Sequence, residues 1–295
     1  MWTHSERDMK EGRVVANGIE FAFLEEGSGP LLLLLHGYPD NAWTWEQQMA
    51  PFAAAGHRVV APFLRGHPPT EIPARGYYDR ATLALDLKAL IEVLAPDGRA
   101  DVVGQDWGAA MTYGFLAAFP DLVRRAVVMA IPHAGAVQES LVEPEQIHRA
   151  FHWWFFQLPT LPERAIPAND FAFISYLWDY WSPGHAEHAH VERIKSMLRH
   201  PGAVAATVGY YRAALNPAFQ DPTLAELRSR LDRPISVPTL ALCGADDIRA
   251  KPMKGQSKYF SGPYRFEIVP DCGHFLHREK PEAITRLVLG WLAGG

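Results

Sequence analysis

The chain has little of several things, and each shortage excludes a class of function. It has two cysteines, Cys243 and Cys272, in 295 residues. That is too few for a disulfide-built secreted scaffold, so two reduced thiols in the cytoplasm are expected. The apolar run Leu31 to Leu35 is far short of the roughly 20 residues that a membrane-spanning helix needs. No basic segment followed by an apolar stretch opens the chain, so no secretory signal is expected. Positive charge is not in excess: 28 Lys and Arg against 33 Asp and Glu give a net charge of -5. That balance leaves no basic footprint for nucleic acid and no polybasic anchor for an anionic membrane. His185, His188 and His190 lie close together, but no cysteine or carboxylate stands at ligand spacing. A solvated loop is expected there, and no metal site. Aromatic residues are abundant, with nine Trp and 12% Phe, Trp and Tyr. Such a load either packs a core or lines an apolar pocket.

Along the chain, residues 13 to 26 alternate around Asn17-Gly18, which predicts a hairpin with a two-residue turn. Continuous apolar runs then alternate with helical segments. Strands are expected at Leu31–Leu35, His57–Pro62, Asp101–Val103, Arg125–Ile131, Thr239–Cys243 and Arg265–Val269. Helical spacing is clear in Arg80–Leu94, through Leu83, Leu87, Leu90, Ile91 and Leu94, and in Pro281–Leu292, where Pro281 suits the first helical position. Unbroken apolar strands between helices predict an α/β fold with a mostly parallel sheet covered on both faces. The alternation stops between about Pro132 and Pro234, where aromatic helical segments such as Phe151–Phe156 and Phe171–Trp181 replace it. This stretch reads as a helical insertion over the carboxyl ends of the strands, where open α/β sheets bind ligands.

The segment Gly104-Gln105-Asp106-Trp107-Gly108 follows a short apolar strand and precedes the helical run Ala109 to Ala118. That is the setting of a nucleophile elbow, whose central residue is ordinarily Ser and here is Asp. A carboxylate there cannot form an acyl-enzyme by the usual route, but it can attack a saturated carbon. The product is an alkyl ester, which water then hydrolyses. His36-Gly37-Tyr38-Pro39 follows the third strand, and Asp271-Cys272-Gly273-His274-Phe275 follows the last. His274 is the expected general base. His277 falls in the polar lead-in to the final helix and reads as structural. An acid to orient His274 is expected in Gly244-Ala245-Asp246-Asp247, and the residues alone do not separate Asp246 from Asp247.

Taken together, these segments resemble the epoxide hydrolase branch of the α/β-hydrolase fold, whose relatives include haloalkane and haloacetate dehalogenases. The resemblance spans nearly the whole chain, through H-G-Y-P, R-G-H-P-P-T at Arg65–Thr70, G-Q-D-W-G-A, a cap insertion, G-A-D-D and G-H-F. It implies an α/β-hydrolase core over residues 1–132 and 235–295, with a helical cap (133–234) inserted after the sixth strand. It implies an oxyanion hole from the Tyr38 and Trp107 amides. The family spacing of the acid, three residues after the loop glycine, selects Asp247. An acid just after the sixth strand, as in some relatives, is ruled out by Met129-Ala130-Ile131. Arg65–Thr70 departs from the family at Pro68, Pro69 and Thr70, which reads as a structural loop variation.

What binds the leaving group separates the branches. Val208-Gly209-Tyr210-Tyr211-Arg212 resembles the cap segment that ends in Tyr-Arg, implying Tyr211 as proton donor to the epoxide oxygen. The second donor of the family falls on His152 instead of Tyr, and its charge would be expected to change near neutral pH. His152-Trp153 also resembles the halide pocket of haloacetate dehalogenases. Those enzymes carry Arg just after the nucleophile, where this chain has Trp107 and Ala110, with no cation for a bidentate pair. Haloalkane dehalogenases typically have Asn where this chain has Tyr38. The resemblance therefore implies a cofactor-independent, metal-free epoxide hydrolase acting on a small apolar or aryl epoxide and water, monomeric or homodimeric. Trp153 and Tyr210 are the expected pocket residues.

Overall fold

The computed structural model describes residues 9–185 and 187–294. Eight strands form one sheet: β1 (Lys10–Ala16), β2 (Ile19–Gly27), β3 (Leu31–Leu35), β4 (Arg58–Pro62), β5 (Ala100–Gln105), β6 (Val123–Met129), β7 (Thr239–Gly244) and β8 (Tyr264–Val269). Their order is β1-β2-β4-β3-β5-β6-β7-β8. β1 and β2 form the expected hairpin, antiparallel to each other, and β2 also runs antiparallel to β4. Asn17 and Gly18 both have positive φ, 44° and 76°, as the two-residue turn demands. From β4 onward every neighbouring pair is parallel.

The all-leucine strand β3 explains why the sheet is covered on both sides. Leu31, Leu33 and Leu35 join one apolar cluster with Leu83, Leu87 and Leu90, while Leu32 and Leu34 join another with Phe52, Ile284 and Val288. The helices behind these faces are α1 (Glu46–Ala54), α2 (Arg80–Leu94) and α3 (Trp107–Ala118). In the chain between β6 and β7 come α4 (Ala134–Ser140), α5 (Pro144–Arg149), α6 (Phe151–Phe155), α7 (Leu161–Ala165), α8 (Ala168–Trp181), α9 (His188–Leu198), α10 (Ala203–Leu215) and α11 (Ala225–Arg230). After β7 come α12 (Ala250–Lys254), α13 (Leu276–Glu279) and α14 (Pro281–Leu292). Among the described residues, no strand lies between β6 and β7. Since β6 and β7 are adjacent, the helical segment leaves and re-enters the sheet between neighbours.

The strand order turns at β3, with β4 on one side and β5 on the other. The loop after β3 and the turn after β5 therefore leave the sheet side by side, Leu35 opposite Gly104. This is the topological switch point at which α/β sheets bind ligands. The helical segment is tied down over it. Trp178 stacks on Phe275 with ring centroids 3.6 Å apart and donates to the Pro39 carbonyl at 3.2 Å.

Three sequence expectations meet their geometry here. His190 is not in a solvated loop: it lies buried in α9, with Nε2 2.7 Å from the Asp40 carboxylate. His277 is structural, packed on Trp45 with Nε2 2.7 Å from the Thr44 hydroxyl. In the Arg65–Thr70 loop, Arg65 makes a buried two-point ion pair with Asp86, and Thr70 bonds across to the β2 backbone at Ala22. Cys243 and Cys272 are free and buried. Among the described residues, no helix is long and apolar enough to cross a membrane.

Candidate active site

Asp106 sits at the junction of β5 and α3 with φ 50° and ψ -118°, a strained conformation for a residue with a side chain. Such backbone costs about 1–3 kcal/mol and persists only where the surroundings impose it. They do so here: Asp106 N donates to Met129 O at 3.1 Å, and Ala110 N donates to Asp106 O at 2.9 Å. The flanking glycines make the close approach feasible. A Cβ on Gly108 would lie 2.1 Å from the Leu35 carbonyl, and one on Gly104 would lie 2.4 Å from the Gly108 carbonyl. The turn thereby thrusts the Asp106 carboxylate out over the end of the sheet. There the Tyr38 amide donates to its Oδ1 at 2.7 Å. Trp107, as the first residue of α3, has an amide among those with no intrahelical partner.

The structure separates the two candidate acids. Asp247 is buried and its Oδ2 accepts from His274 Nδ1 at 2.9 Å, whereas Asp246 is exposed and its amide turns back to the Cys272 carbonyl. The other oxygen of Asp247 accepts from the Arg249 amide at 2.8 Å. His274 Nε2 points at Asp106, 3.5 Å from Oδ2, too far for a good hydrogen bond and close enough for an ion pair. Burial pulls the His274 pKa down, but the Asp247 and Asp106 carboxylates outweigh it and hold the pKa up at about 10. The loop that carries His274 is clamped to the helical segment. The hydroxyl of Ser182, just past α8, accepts from the His274 and Phe275 amides at 3.1 and 3.2 Å and donates to Glu279 at 2.6 Å.

The helical side of the site is a nest of rings. Tyr211, on α10, is surrounded by Tyr38, Trp107, His152, Trp153 and Phe156, with centroids 4.9 to 5.5 Å away. Burial, then the Asp106 charge and Tyr38, push its phenol well above the usual range, so it stays protonated. His152 is buried on α6, its Nδ1 without a hydrogen-bond partner among the described residues. Burial, with Arg249 and His274 nearby, holds it well below the usual histidine range. The expected change of charge near neutral pH is therefore corrected: His152 is a neutral imidazole there.

A cavity of about 100 Å³ reaches Asp106 and Trp107. Its walls include Ile131, Val137, Leu141, Trp153 and Leu215, mostly aliphatic. Of the two expected pocket residues, Trp153 lines it and Tyr210 does not. The Tyr210 hydroxyl is used on the Arg65 carbonyl at 2.7 Å, and its ring stacks on Tyr78. Tyr211 and His152 stand against the rings behind this cavity rather than along its wall.

One residue escaped the sequence reading. Arg249 is buried, with its guanidinium 5.9 Å from the centroid of the Trp153 ring, and its charge is felt by Tyr211 and His152. The turn after β5 carries no cation, as expected; Arg249, from the loop after β7, brings one whose charge Asp247 and Asp106 favour. Its position two residues after Asp247 was the available signal.

A strained acidic elbow, a carboxylate–histidine pair and an amide aimed at the elbow carboxylate are the working parts of a hydrolase built on an α/β sheet. Residues 30–281 match the family described as alpha/beta hydrolase fold, and the chain belongs to that family. Its relatives there include epoxide hydrolases. Epoxide hydrolase 3 of Xenopus tropicalis is 30% identical over 292 residues, 95% of this chain and 76% of the relative. Epoxide hydrolase A of Mycobacterium tuberculosis is 25% identical over 320 residues, 96% of this chain and 97% of the relative. Among solved structures, potato epoxide hydrolase I covers 97% of this chain and 100% of its own with a TM-score of 0.81; at 22% identity this is a likeness of fold.

Proposed function

We propose that the protein is an epoxide hydrolase that works through a covalent alkyl ester on Asp106, beneath a cap formed by residues 133–234. The observation that carries this reading is the division of labour between the two Asp106 oxygens. Oδ1 is held by the Tyr38 amide at 2.7 Å, and Oδ2 faces His274 Nε2 at 3.5 Å. Oδ2 attacks a ring carbon, the ring C–O bond breaks, and the leaving oxygen takes a proton from the Tyr211 hydroxyl, with the neutral His152 N–H as second donor. Tyr211 suits this role because its high pKa keeps the proton available at any working pH.

Esterification then changes His274. With Asp106 ionised, His274 holds its proton up to about pH 10 and is no base. The ester removes the Asp106 charge, one of the groups that raise this pKa, so His274 gives up its proton, which returns to the Tyr211 phenolate left by ring opening, and can then accept one from water. Hydroxide attacks Cγ, the oxyanion develops on Oδ1 against the Tyr38 and Trp107 amides, and the bond from Cγ to Oδ2 breaks. The leaving alkoxide takes the proton from His274 to give a vicinal diol, while the Asp106 acid returns its proton to His274. The relatives named above support an epoxide over a halide, as does the phenol of Tyr211. Two free buried thiols fit a reducing compartment such as the cytoplasm.

The test is to supply styrene oxide, a bromoalkane and a haloacetate to the protein and score diol against halide. Diol formation is expected; halide release without diol would sink the epoxide reading. His274→Gln, incubated with the epoxide that is turned over, is expected to accumulate an adduct on the peptide that contains Asp106, seen by mass spectrometry. A turned-over epoxide with no adduct would reject the two-step route.

A further inference from the structure

The reaction above makes no use of Arg249. This side chain is only 1% exposed, and its Nη1 is buried with no hydrogen-bond partner among the described residues. A buried cation is costly, and the attraction of the Asp247 and Asp106 carboxylates together with cation–π contact with Trp153 offsets part of that cost. Nearby carboxylates are committed elsewhere. Asp247 holds His274 and the Arg249 amide, and Asp106 Oδ1 holds the Tyr38 amide. The backbone that aims the side chain is fixed: Asp247 pins the Arg249 amide, and the buried Gln146 donates to the Ile248 carbonyl at 3.0 Å. Arg80 lines the cavity with its charge paired with Asp232 and one donor on the Leu231 carbonyl, although its Nε is buried without a partner among the described residues. Arg249 lies behind the cavity wall, against Trp153.

An anion from outside the chain would complete Arg249. A guanidinium presents a planar fork of N–H donors that matches a carboxylate at two points. The ring of Trp153 lies under that fork and also walls the cavity that reaches Asp106. The rest of that cavity, through Ile131, Val137, Leu141 and Leu215, takes a short aliphatic chain. We propose that Arg249 binds a carboxylate on the substrate, which makes the preferred substrate a short aliphatic epoxy acid with its charge on or next to the ring. This inference rests on the reading that Asp106 opens an epoxide.

The decisive comparison is the kcat/KM for 3-propyloxirane-2-carboxylate against that for its neutral counterpart 2-methyl-3-propyloxirane. Alongside it, pentanoate, which cannot be opened, is tested as a ligand by its effect on Tm. The wild-type protein is expected to favour the acid by about tenfold to 100-fold, the worth of one charge-assisted contact. That preference should collapse in Arg249→Met and be partly restored in Arg249→Lys, while pentanoate should raise the Tm of the wild type and not of Arg249→Met. Equal use of the two epoxides, with pentanoate acting alike on wild type and Arg249→Met, would overturn the proposal. If neither epoxide is opened but pentanoate stabilises only the proteins that keep a cation at 249, the carboxylate site stands and the epoxide reading falls. Should Arg249→Met fail to fold, the wild-type preference and the Arg249→Lys response decide in its place.

Discussion

On the sheet side of the site, Asp106, Asp247 and His274 stand on loops leaving β5, β7 and β8, and hydrogen bonds fix each of them. Asp247 alone satisfies two donors, the His274 ring and the Arg249 amide. On the helical side, the rings of His152, Trp153 and Tyr211 are held chiefly by one another. Buried polar atoms without a hydrogen-bond partner among the described residues include His152 Nδ1 and Trp181 Nε1 there, and His274 Nε2 and the Tyr38 hydroxyl on the sheet side. In the proposed mechanism the difference is functional. The sheet side makes and breaks one ester whatever the substrate, so its groups must be preorganised. The helical side receives the substrate, so donors without a partner in the free protein are open to one that arrives with the ligand.

The sharpest way to break this comparison is at Asp247. Asp247→Asn is expected to lower diol formation by roughly 10³- to 10⁴-fold, because an amide neither fixes the imidazole nor stabilises its cation. The exposed neighbour offers the control: Asp246→Asn should stay within about twofold of wild type, as surface changes usually do. Steady-state rates on one epoxide decide it. Comparable losses in the two variants would mean that a different carboxylate orients His274.

On the helical side, Tyr211→Phe is expected to slow ring opening by about 10²-fold, toward the lower end for a lost general acid, since His152 remains as a donor. Tyr210→Phe should cost far less turnover, because its hydroxyl is tied to the Arg65 carbonyl, although the lost bond should lower Tm. Single-turnover measurement of adduct formation in a His274→Gln background isolates the opening step. The reverse ranking would move the proton donor to Tyr210.

These two pairs also show where the sequence was legible. Leu31–Leu35 and Gly104–Gly108 could be read because strand, turn and helix there are contiguous, and local sterics dictate the glycines. The fold followed from the same signal, since apolar runs that alternate with helices permit few sheets. Asp246 and Asp247 could not be told apart from their residues alone, because only the backbone path of one turn decides which carboxylate faces inward. His190 was misplaced because its partner, Asp40, lies 150 residues away in sequence. Arg249 was missed for a similar reason. Its place over Trp153 depends on how the segment between β6 and β7 folds back onto the sheet, which its one local signal, a position two residues after Asp247, does not convey.

The smallest expected effect links the two oxygens of Asp106 to the charge on His274. The folded pKa of about 10 lies above the ordinary histidine value of 6.5, so the folded state favours the protonated ring. The stability this gives is complete below about pH 6.5 and is lost as pH rises from there through 10. In Asp106→Asn the Asp106 contribution is gone and that of Asp247 remains, so the folded pKa should fall and the loss of stability across this window should shrink. Comparing the variant with wild type at each pH cancels the Lys and Tyr groups that titrate in the same range. Ring-proton NMR of His274 gives the pKa directly, and denaturant midpoints at pH 6.5 and pH 10 give its thermodynamic counterpart. An unchanged His274 pKa in Asp106→Asn would mean that ester formation does not switch on the base. The asymmetry between the oxygens would then describe how Asp106 is held and not how the second step begins.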